Sequence, residues 1–313
     1  MLLYNQFMVN FSIIIPHKNS SNLLQYCLNS IPLRGDIQVI VVDDNSDADK
    51  VDFDNFPQWS GKNYECYFTK EGKGAGYARN VGLEHAVGKW LVFVDADDFL
   101  AEDANLIFEE NKDADADIVF LRHKAVLQED HNINASRDNH YNELIDDYFQ
   151  TFDEKKLRAW DYIPWAKFIR RSLVEKYRIR FEETKYSNDC YFSTYSGIKA
   201  EKIIVRNDVF YIVTKSNLSL TSKFCMKPGE LECRTAVLFR VISLAKENKY
   251  PIDKEQAYSY LRRMISINNE LFVKYSRRLV KMGVSKRELV RECFKTNKLS
   301  SRLKRTIYAY IVI

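Results

Sequence analysis

The stretch Lys89-Trp90-Leu91-Val92-Phe93-Val94-Asp95-Ala96-Asp97-Asp98 carries an apolar, buried-type strand straight into three closely spaced carboxylates. Core packing does not call for that arrangement. Parallel sheets bind ligands beyond the carboxyl ends of their strands, and a hard divalent cation bridging protein to a diphosphate takes one or two carboxylates with water and phosphate oxygens. The segment therefore reads as a metal and diphosphate site at a strand end. A second acidic cluster, Asp113, Asp115 and Asp117, precedes the apolar run Ile118-Val119-Phe120-Leu121 instead of following it. Those acids fall at a strand's entrance, on the opposite edge of such a sheet, and read as a solvated turn.

Two earlier segments repeat the strand-to-polar pattern. Phe11-Ser12-Ile13-Ile14-Ile15 is a β-branched run stopped by Pro16 and followed by a helical pattern through Leu23, Leu24, Cys27, Leu28 and Ile31. Ile37-Gln38-Val39-Ile40-Val41-Val42 runs into Asp43-Asp44-Asn45-Ser46. Strands alternating with helices predict an α/β fold with a mainly parallel sheet and connections of one hand. Pro16-His17-Lys18-Asn19, Asp43-Asp44 and Asp95-Ala96-Asp97 are then expected on one sheet edge. One Asp-Asp pair after a strand is ordinarily a cap or a turn, but three polar strand ends on one edge point to a ligand.

Between the second and third of these strands lies Gly72-Lys73-Gly74-Ala75-Gly76-Tyr77-Ala78-Arg79-Asn80-Val81-Gly82. It is not a dinucleotide fingerprint, because Arg79 stands where the third glycine belongs, and Gly88-Lys89-Trp90 is no phosphate-binding P-loop. A glycine loop that lets backbone approach, with an arginine on the helix behind it, suits phosphate or nucleobase recognition.

The chain has 313 residues and is 46% hydrophobic, enough for one large domain with an appendage or for two domains. No apolar run approaches the ~18 residues of a membrane-spanning helix. Met1 to Asn10 lacks the basic start and apolar core of a signal peptide, so a cytoplasmic protein is expected. Cys27, Cys66, Cys190, Cys225, Cys233 and Cys293 are scattered without zinc spacing and read as reduced, mostly buried thiols. Residues 225–313 carry 20 Lys and Arg against 8 Asp and Glu, leaving 27 against 35 for residues 1–224. Helical periodicity dominates the basic part, in Leu231 to Lys249 and Gln256 to Val280, with Tyr250-Pro251 between them. The expected organisation is a short extension over residues 1–10, a catalytic-type domain over 11–224 and a basic helical region over 225–313, with Pro228-Gly229 at the junction.

These residues resemble the family 2 inverting glycosyltransferases with a GT-A (Rossmann-like) fold, of the bacterial surface-polysaccharide type. The likeness spans residues 11 to about 224. It rests on Ile13-Ile14-Ile15-Pro16 with Asn19, Val41-Val42-Asp43-Asp44-Asn45-Ser46, Gly74-x-Gly76-x-Ala78-Arg79-Asn80-x-Gly82 and Phe93-Val94-Asp95-Ala96-Asp97-Asp98. Trp165-Ala166-Lys167-Phe168-Ile169-Arg170-Arg171, Ile179-Arg180-Phe181 and Asn188-Asp189-Cys190-Tyr191-Phe192 look like the family's acceptor-side segments.

The resemblance implies a nucleotide-sugar donor, with UDP as the default, and a glycan or lipid-linked acceptor. Pro16 and Asp44 would border the nucleobase, with His17, Asn19, Asp43 and Gly74 around them. Arg79 would support the base or diphosphate, Asp95 and Ala96 the ribose side, and Asp97 would bind Mg²⁺ or Mn²⁺. Asp189 would be the general base, and Trp165, Lys167 and Asn188 would lie on the acceptor side. An inverting transfer needs such a carboxylate to take the acceptor hydroxyl's proton, and an ordinary aspartate, with a pKa of about 3.9, is already ionised at neutral pH. The competing reading of Asp189 is a helix N-cap, and that of Trp165 a core residue. Two departures stand out: Asn188 replaces an acid common in the family, and His17 stands where an aromatic is frequent.

Tyr211 to Thr221 resembles the family's closing strand and loop, with Lys215 or Ser219 reaching the diphosphate. The basic residues over 274–313, ending in Ile307-Tyr308-Ala309-Tyr310-Ile311-Val312-Ile313, suggest peripheral attachment to the inner face of the cytoplasmic membrane. A nucleotide-sugar-binding protein without turnover is the alternative function. Nucleic-acid binding through the basic tail is the weakest reading, and no nucleic-acid partner is expected, because the tail holds no recognition module and the acidic part would repel phosphate backbones.

Overall fold

The computed structural model describes residues 8–136, 139–216 and 227–295. The chain divides into two compact units, Met1–Ser222 and Lys223–Ile313. The first unit runs β1 (Phe11–His17), α1 (Ser21–Ser30), β2 (Ile37–Asp44), β3 (Asn63–Thr69), α2 (Ala75–His85), β4 (Trp90–Phe93), β5 (Phe99–Leu100) and α3 (Ala104–Asn111). It continues through β6 (Ile118–Leu127), α4 (Asn139–Thr151), α5 (Lys155–Trp160), β7 (Lys167–Arg170), α6 (Arg171–Lys176), α7 (Cys190–Lys199) and β8 (Ile203–Lys215).

Eight strands form one sheet in the order β3-β2-β1-β4-β7-β6-β8-β5. The first four are parallel, β6 and β8 are parallel to each other, and β7 and β5 run antiparallel to their neighbours. The carboxyl ends of β1, β2 and β4 therefore share an edge. Because β7 is reversed, its first residue lies at that edge, and Lys167 is level with Phe120 of β6.

β1 and β2 are buried along their whole length, which is why they read as continuous apolar runs. Alternate side chains feed two layers: Ile13, Ile15, Val39, Val41 and Val92 on one face, Ile14, Ile40, Val42, Leu91 and Phe93 on the other. β1 extends through Pro16, which pairs with Val42, so the proline does not stop the strand. The acids before β6 lie on the opposite edge: Asp115 pairs with Lys202 at 2.6 Å, and the Asp117 carboxylate accepts from the Glu201 and Lys202 amides.

The second unit contains α8 (Pro228–Glu247), α9 (Lys254–Ile267), α10 (Asn269–Lys281) and α11 (Lys286–Phe294). Pro228 opens α8 within its first turn, where its missing N–H costs nothing. The periodic stretch from Gln256 to Val280 is broken at Asn268, whose side chain accepts from the Leu271 amide and caps α10. Ala257, Leu261, Phe272 and Leu289 form its fully buried centre. Among the described residues no helix is long and apolar enough to cross a membrane, and the described cysteines are free thiols.

Helix α2 approaches β1 closely: a Cβ on Gly82 would stand 2.4 Å from the Ile14 Cγ2. Gly82→Ala is expected to lose about 1–3 kcal/mol in urea unfolding through overpacking, whereas an unchanged midpoint would show that the contact relaxes freely.

Candidate active site

The turn after β4 brings single carboxylate oxygens of Asp95, Asp97 and Asp98 within 4.8 Å of one another. Three like charges at that spacing need compensation, and β8 and α2 supply it. The Tyr211 hydroxyl donates to Asp98 Oδ2 at 2.9 Å and accepts from the Asp95 amide at 2.9 Å. The Thr214 amide donates to Asp98 Oδ1 at 2.7 Å, and its hydroxyl donates to the Asp97 carbonyl at 2.7 Å. Asp98 is thereby buried and engaged on both oxygens, Asp95 is half-buried, and Asp97 is exposed. Oxygen donors of this kind suit a hard divalent cation, and Asp97 presents the most accessible carboxylate with Asp95 beside it. Cys27 lies beneath this turn, where burial and then the three acids push its thiol well up.

Arg79, on the face of α2, is 5% exposed. It donates to Asp95 Oδ1 at 2.5 Å and to Asn188 Oδ1 at 2.9 Å, while its buried Nε has no partner. The helix can come this close only because residue 76 is glycine: a Cβ there would meet the Glu182 carbonyl at 2.2 Å. Lys73 adds an ion pair to Glu183 at 3.8 Å. The glycine loop and its helix are thus joined to the segment before α7 at these points and through Asn80, whose side chain exchanges two hydrogen bonds with the Phe181 backbone.

At the other strand ends the expected nucleotide residues separate into two groups. The His17 Nδ1 meets Asp43 Oδ2 at 2.7 Å, and its Nε2 accepts from the Ser20 amide at 3.1 Å, which places the ring proton on Nδ1. Burial alone would raise the Asp43 carboxyl, but the His17 and Ser46 hydrogen bonds outweigh it and hold it low. The His17 side chain is 0% exposed and the Asp43 side chain 2%. Both brace the turn from inside. Asn19, at φ 58°, ties this turn to Ser46 and Asp47 through its amide and side chain.

Asp44 differs. Its Oδ2 accepts from the Gly74 amide at 2.8 Å and lies 3.6 Å from the Lys18 ammonium, whereas its Oδ1 is buried without a hydrogen-bond partner. Gly74 takes φ 94° at the start of α2, a conformation that favours glycine. Pro16 and Ala96 are buried beside these turns.

Asp189 occupies the N-cap position of α7, yet its side chain makes no cap hydrogen bond. Burial raises its carboxyl, opposed by Arg79 and reinforced by Asp95. The expectation of an untuned aspartate is therefore overturned by its packing. Asn188 lies on Arg79. Trp165 is buried and stacks on Tyr211 at 4.9 Å and 9°; Lys167 is buried against Asp161 at 3.2 Å. Neither presents an open acceptor surface. Lys215 donates to the Ser136 carbonyl at 3.2 Å, and Ser219 lies outside the described residues. Tyr211 and Thr214 are the supporting residues that sequence reasoning did not single out, although it placed them in the closing strand.

Residues 12–178 match the family model described as glycosyl transferase family 2. The chain belongs to that family. It is 24% identical over 267 residues to the glycosyltransferase GlyA of Streptococcus pneumoniae, covering 82% of this chain and 37% of GlyA. It is 26% identical over 219 residues to the Staphylococcus aureus poly(ribitol-phosphate) beta-N-acetylglucosaminyltransferase TarS, covering 66% of this chain and 36% of TarS. The chain thus spans little more than a third of either relative. The fold matches the crystal structure of S. aureus TarS 1–349 in complex with UDP-GlcNAc with a TM-score of 0.59, at 20% identity, over 97% of this chain and 88% of that one.

Tyr211→Phe leaves the Asp95 amide without the hydroxyl it donates to and takes from Asp98 one of its donors. It is expected to lower stability by about 1–3 kcal/mol in chemical denaturation and to weaken metal-dependent donor binding in calorimetry; unchanged binding would remove Tyr211 from the support of this site.

Proposed function

We propose that this chain is an inverting, metal-dependent glycosyltransferase that moves a sugar from a UDP-sugar to a hydroxyl of a glycan or lipid-linked acceptor in bacterial cell-surface polysaccharide synthesis. The observation that carries the reading is one line of chemistry along the sheet edge. Asp44 Oδ1, a buried acceptor lacking a donor, stands at one end, exposed Asp97 at the other, and Arg79 with its unpartnered Nε between them. A buried carboxylate oxygen of this kind suits a base that offers an N–H, as uracil does, and the acid cluster suits a diphosphate held through a cation. The UDP-GlcNAc complex of TarS supports the same donor class.

In this reading Asp44 and the Gly74 loop seat the base, Asp95 and Arg79 border the ribose and diphosphate, and Asp97 holds Mg²⁺ or Mn²⁺. When bound, the cation supplies charge stabilisation to the departing diphosphate. Asp189 takes the acceptor hydroxyl's proton as that oxygen attacks the sugar carbon from the face opposite the diphosphate. Burial keeps the Asp189 carboxyl above the ordinary aspartate range while Arg79 keeps it from rising further, which brings a base closer to the working pH.

Asp97→Asn is expected to abolish the metal-dependent part of UDP-sugar stabilisation in a thermal shift assay. Asp189→Asn should keep donor binding but lose transfer by ~10²–10⁴-fold. Because the folded protein holds the Asp189 proton more tightly than the unfolded chain, the charged form costs stability above the ordinary carboxylate range. Asp189→Asn should therefore melt no lower than the parent at neutral pH. An active Asp189→Asn enzyme would refute the base assignment.

The second unit supports peripheral contact with an anionic membrane surface: Lys274, Arg277, Arg278 and Lys281 are exposed at helical spacing on α10. Replacing all four by glutamate should abolish co-flotation with phosphatidylglycerol vesicles; equal flotation of parent and variant would remove the membrane role from this helix.

A further inference from the structure

Lys18 has no part in the reaction proposed so far, yet it stands at the edge where the base is seated. β1 and β2 pair in parallel through His17 and Asp43, so the next residues, Lys18 and Asp44, follow side by side. The Lys18 ammonium donates to the Asp44 carbonyl at 2.9 Å and lies 3.6 Å from Asp44 Oδ2. That oxygen also takes the Gly74 amide at 2.8 Å, whereas Oδ1 is buried without a donor among the described residues. The glycine loop closes the third side: a Cβ on Gly72 would stand 3.8 Å from the Lys18 ammonium. Stability does not account for the lysine, because an ion pair at 3.6 Å with a side chain 45% exposed contributes little. The Asp44 side chain, by contrast, is 4% exposed, and buried acceptors are ordinarily satisfied. An ammonium has three N–H donors, of which the Asp44 carbonyl engages one. An unused acceptor therefore lies beside unused donors.

We propose that Lys18 is a specificity-determining residue of the donor site: it donates to the base carbonyl next to the ring N–H that Asp44 Oδ1 accepts, so that the pair admits uracil and turns away cytosine. This rests on the reading of Asp44 as the seat of the base. Uracil carries a ring N–H beside a carbonyl oxygen, the complement of an acceptor beside a donor. Cytosine presents a bare ring nitrogen beside an amino group, which sets a lone pair against the carboxylate and a donor against the ammonium. Both mismatches leave desolvated polar groups unpaired, the costly way for a substrate to be wrong. Guanine shares the N–H and carbonyl pattern, so what the pair excludes is the amino-bearing edge of cytosine and adenine. Lysine suits the part because its ammonium rides on a flexible four-carbon stem. It can shift from the Asp44 carbonyl to the base without moving the backbone.

UDP and CDP differ only at this edge, which makes the ratio of their affinities the readout. Titration calorimetry with Mn²⁺ present compares the two nucleotides on the full chain, on Lys18→Met and on Lys18→Arg. The parent should prefer UDP by about 10–100-fold. Lys18→Met should cut that preference by ~10-fold, through weaker UDP binding with CDP little changed, and Lys18→Arg should keep most of it. Should Lys18→Met fail to fold, 4-thio-UDP on the parent carries the test: sulfur accepts hydrogen bonds poorly, so this nucleotide should bind several-fold more weakly than UDP. A parent that takes CDP as well as UDP overturns the inference. So does equal weakening of both nucleotides in Lys18→Met, which would assign the lysine to the diphosphate, or an unchanged ratio, which would leave it a brace for Asp44. Each of these leaves the donor reading intact. A parent that binds neither nucleotide overturns the donor reading itself, and this inference with it.

Discussion

The rest of this unit is arranged around a repulsion. The turn after β4 crowds three carboxylates within 4.8 Å, and such a cluster persists only if each charge is engaged by a donor, a cation or water. Asp98 is taken inward and satisfied by Tyr211 and Thr214 of β8. Asp95 is neutralised by Arg79 of α2. Asp97 is left outward. These three solutions tie β4 to an antiparallel partner system on one side and to the glycine-loop helix on the other. The reversed β5 and β8 pairing, the small residues of α2 and the Trp165 stack on Tyr211 all act to hold that turn.

Charge at this edge is also graded in accessibility. Buried polar atoms are ordinarily hydrogen-bonded, and the braces conform: His17, Asp43, Ser46 and Asn19 satisfy one another inside the turn. Two exceptions flank the glycine loop, at Asp44 Oδ1 and Arg79 Nε. The contrast separates residues that build the edge from residues with unused capacity. It sets His17 and Asp43, whose polar atoms are engaged inside the turn, apart from their neighbour Asp44.

Much of this was legible in the sequence because it is local. A β-branched run of five or six residues ending in acids announces a strand and its carboxyl end, and two such runs separated by a helical pattern announce parallel neighbours. The glycine loop could be read for the same reason. What escaped depended on pairings far apart in the chain. Tyr211 and Thr214 reach Asp98 across separations of 113 and 116 residues. Strand β3, with its partly exposed side chains, carries a weak apolar signal. Lys167 sits at the edge where β1, β2 and β4 end only because β7 is reversed, and no local pattern fixes strand direction. The raised Asp189 carboxyl is a property of packing, which composition does not report. Asn268 ends a continuous helical period with a cap whose signal is a single side chain.

The neutral Asn188 is best understood from the same electrostatics. Its amide oxygen accepts from Arg79 and so does part of the geometric work of an acid at that position. A carboxylate there would place a second anion on Arg79 and another beside Asp189. Burial already disfavours the charged form of Asp189, and Asp95 adds to that. A further negative neighbour would drive the same shift, unless cations were added. With asparagine, Arg79 is anchored on both sides but ion-paired only to Asp95, and Asp189 keeps a larger share of its attraction. The departure from the family's common acid thus preserves the position of the arginine and lightens the negative load on the aspartate next to it.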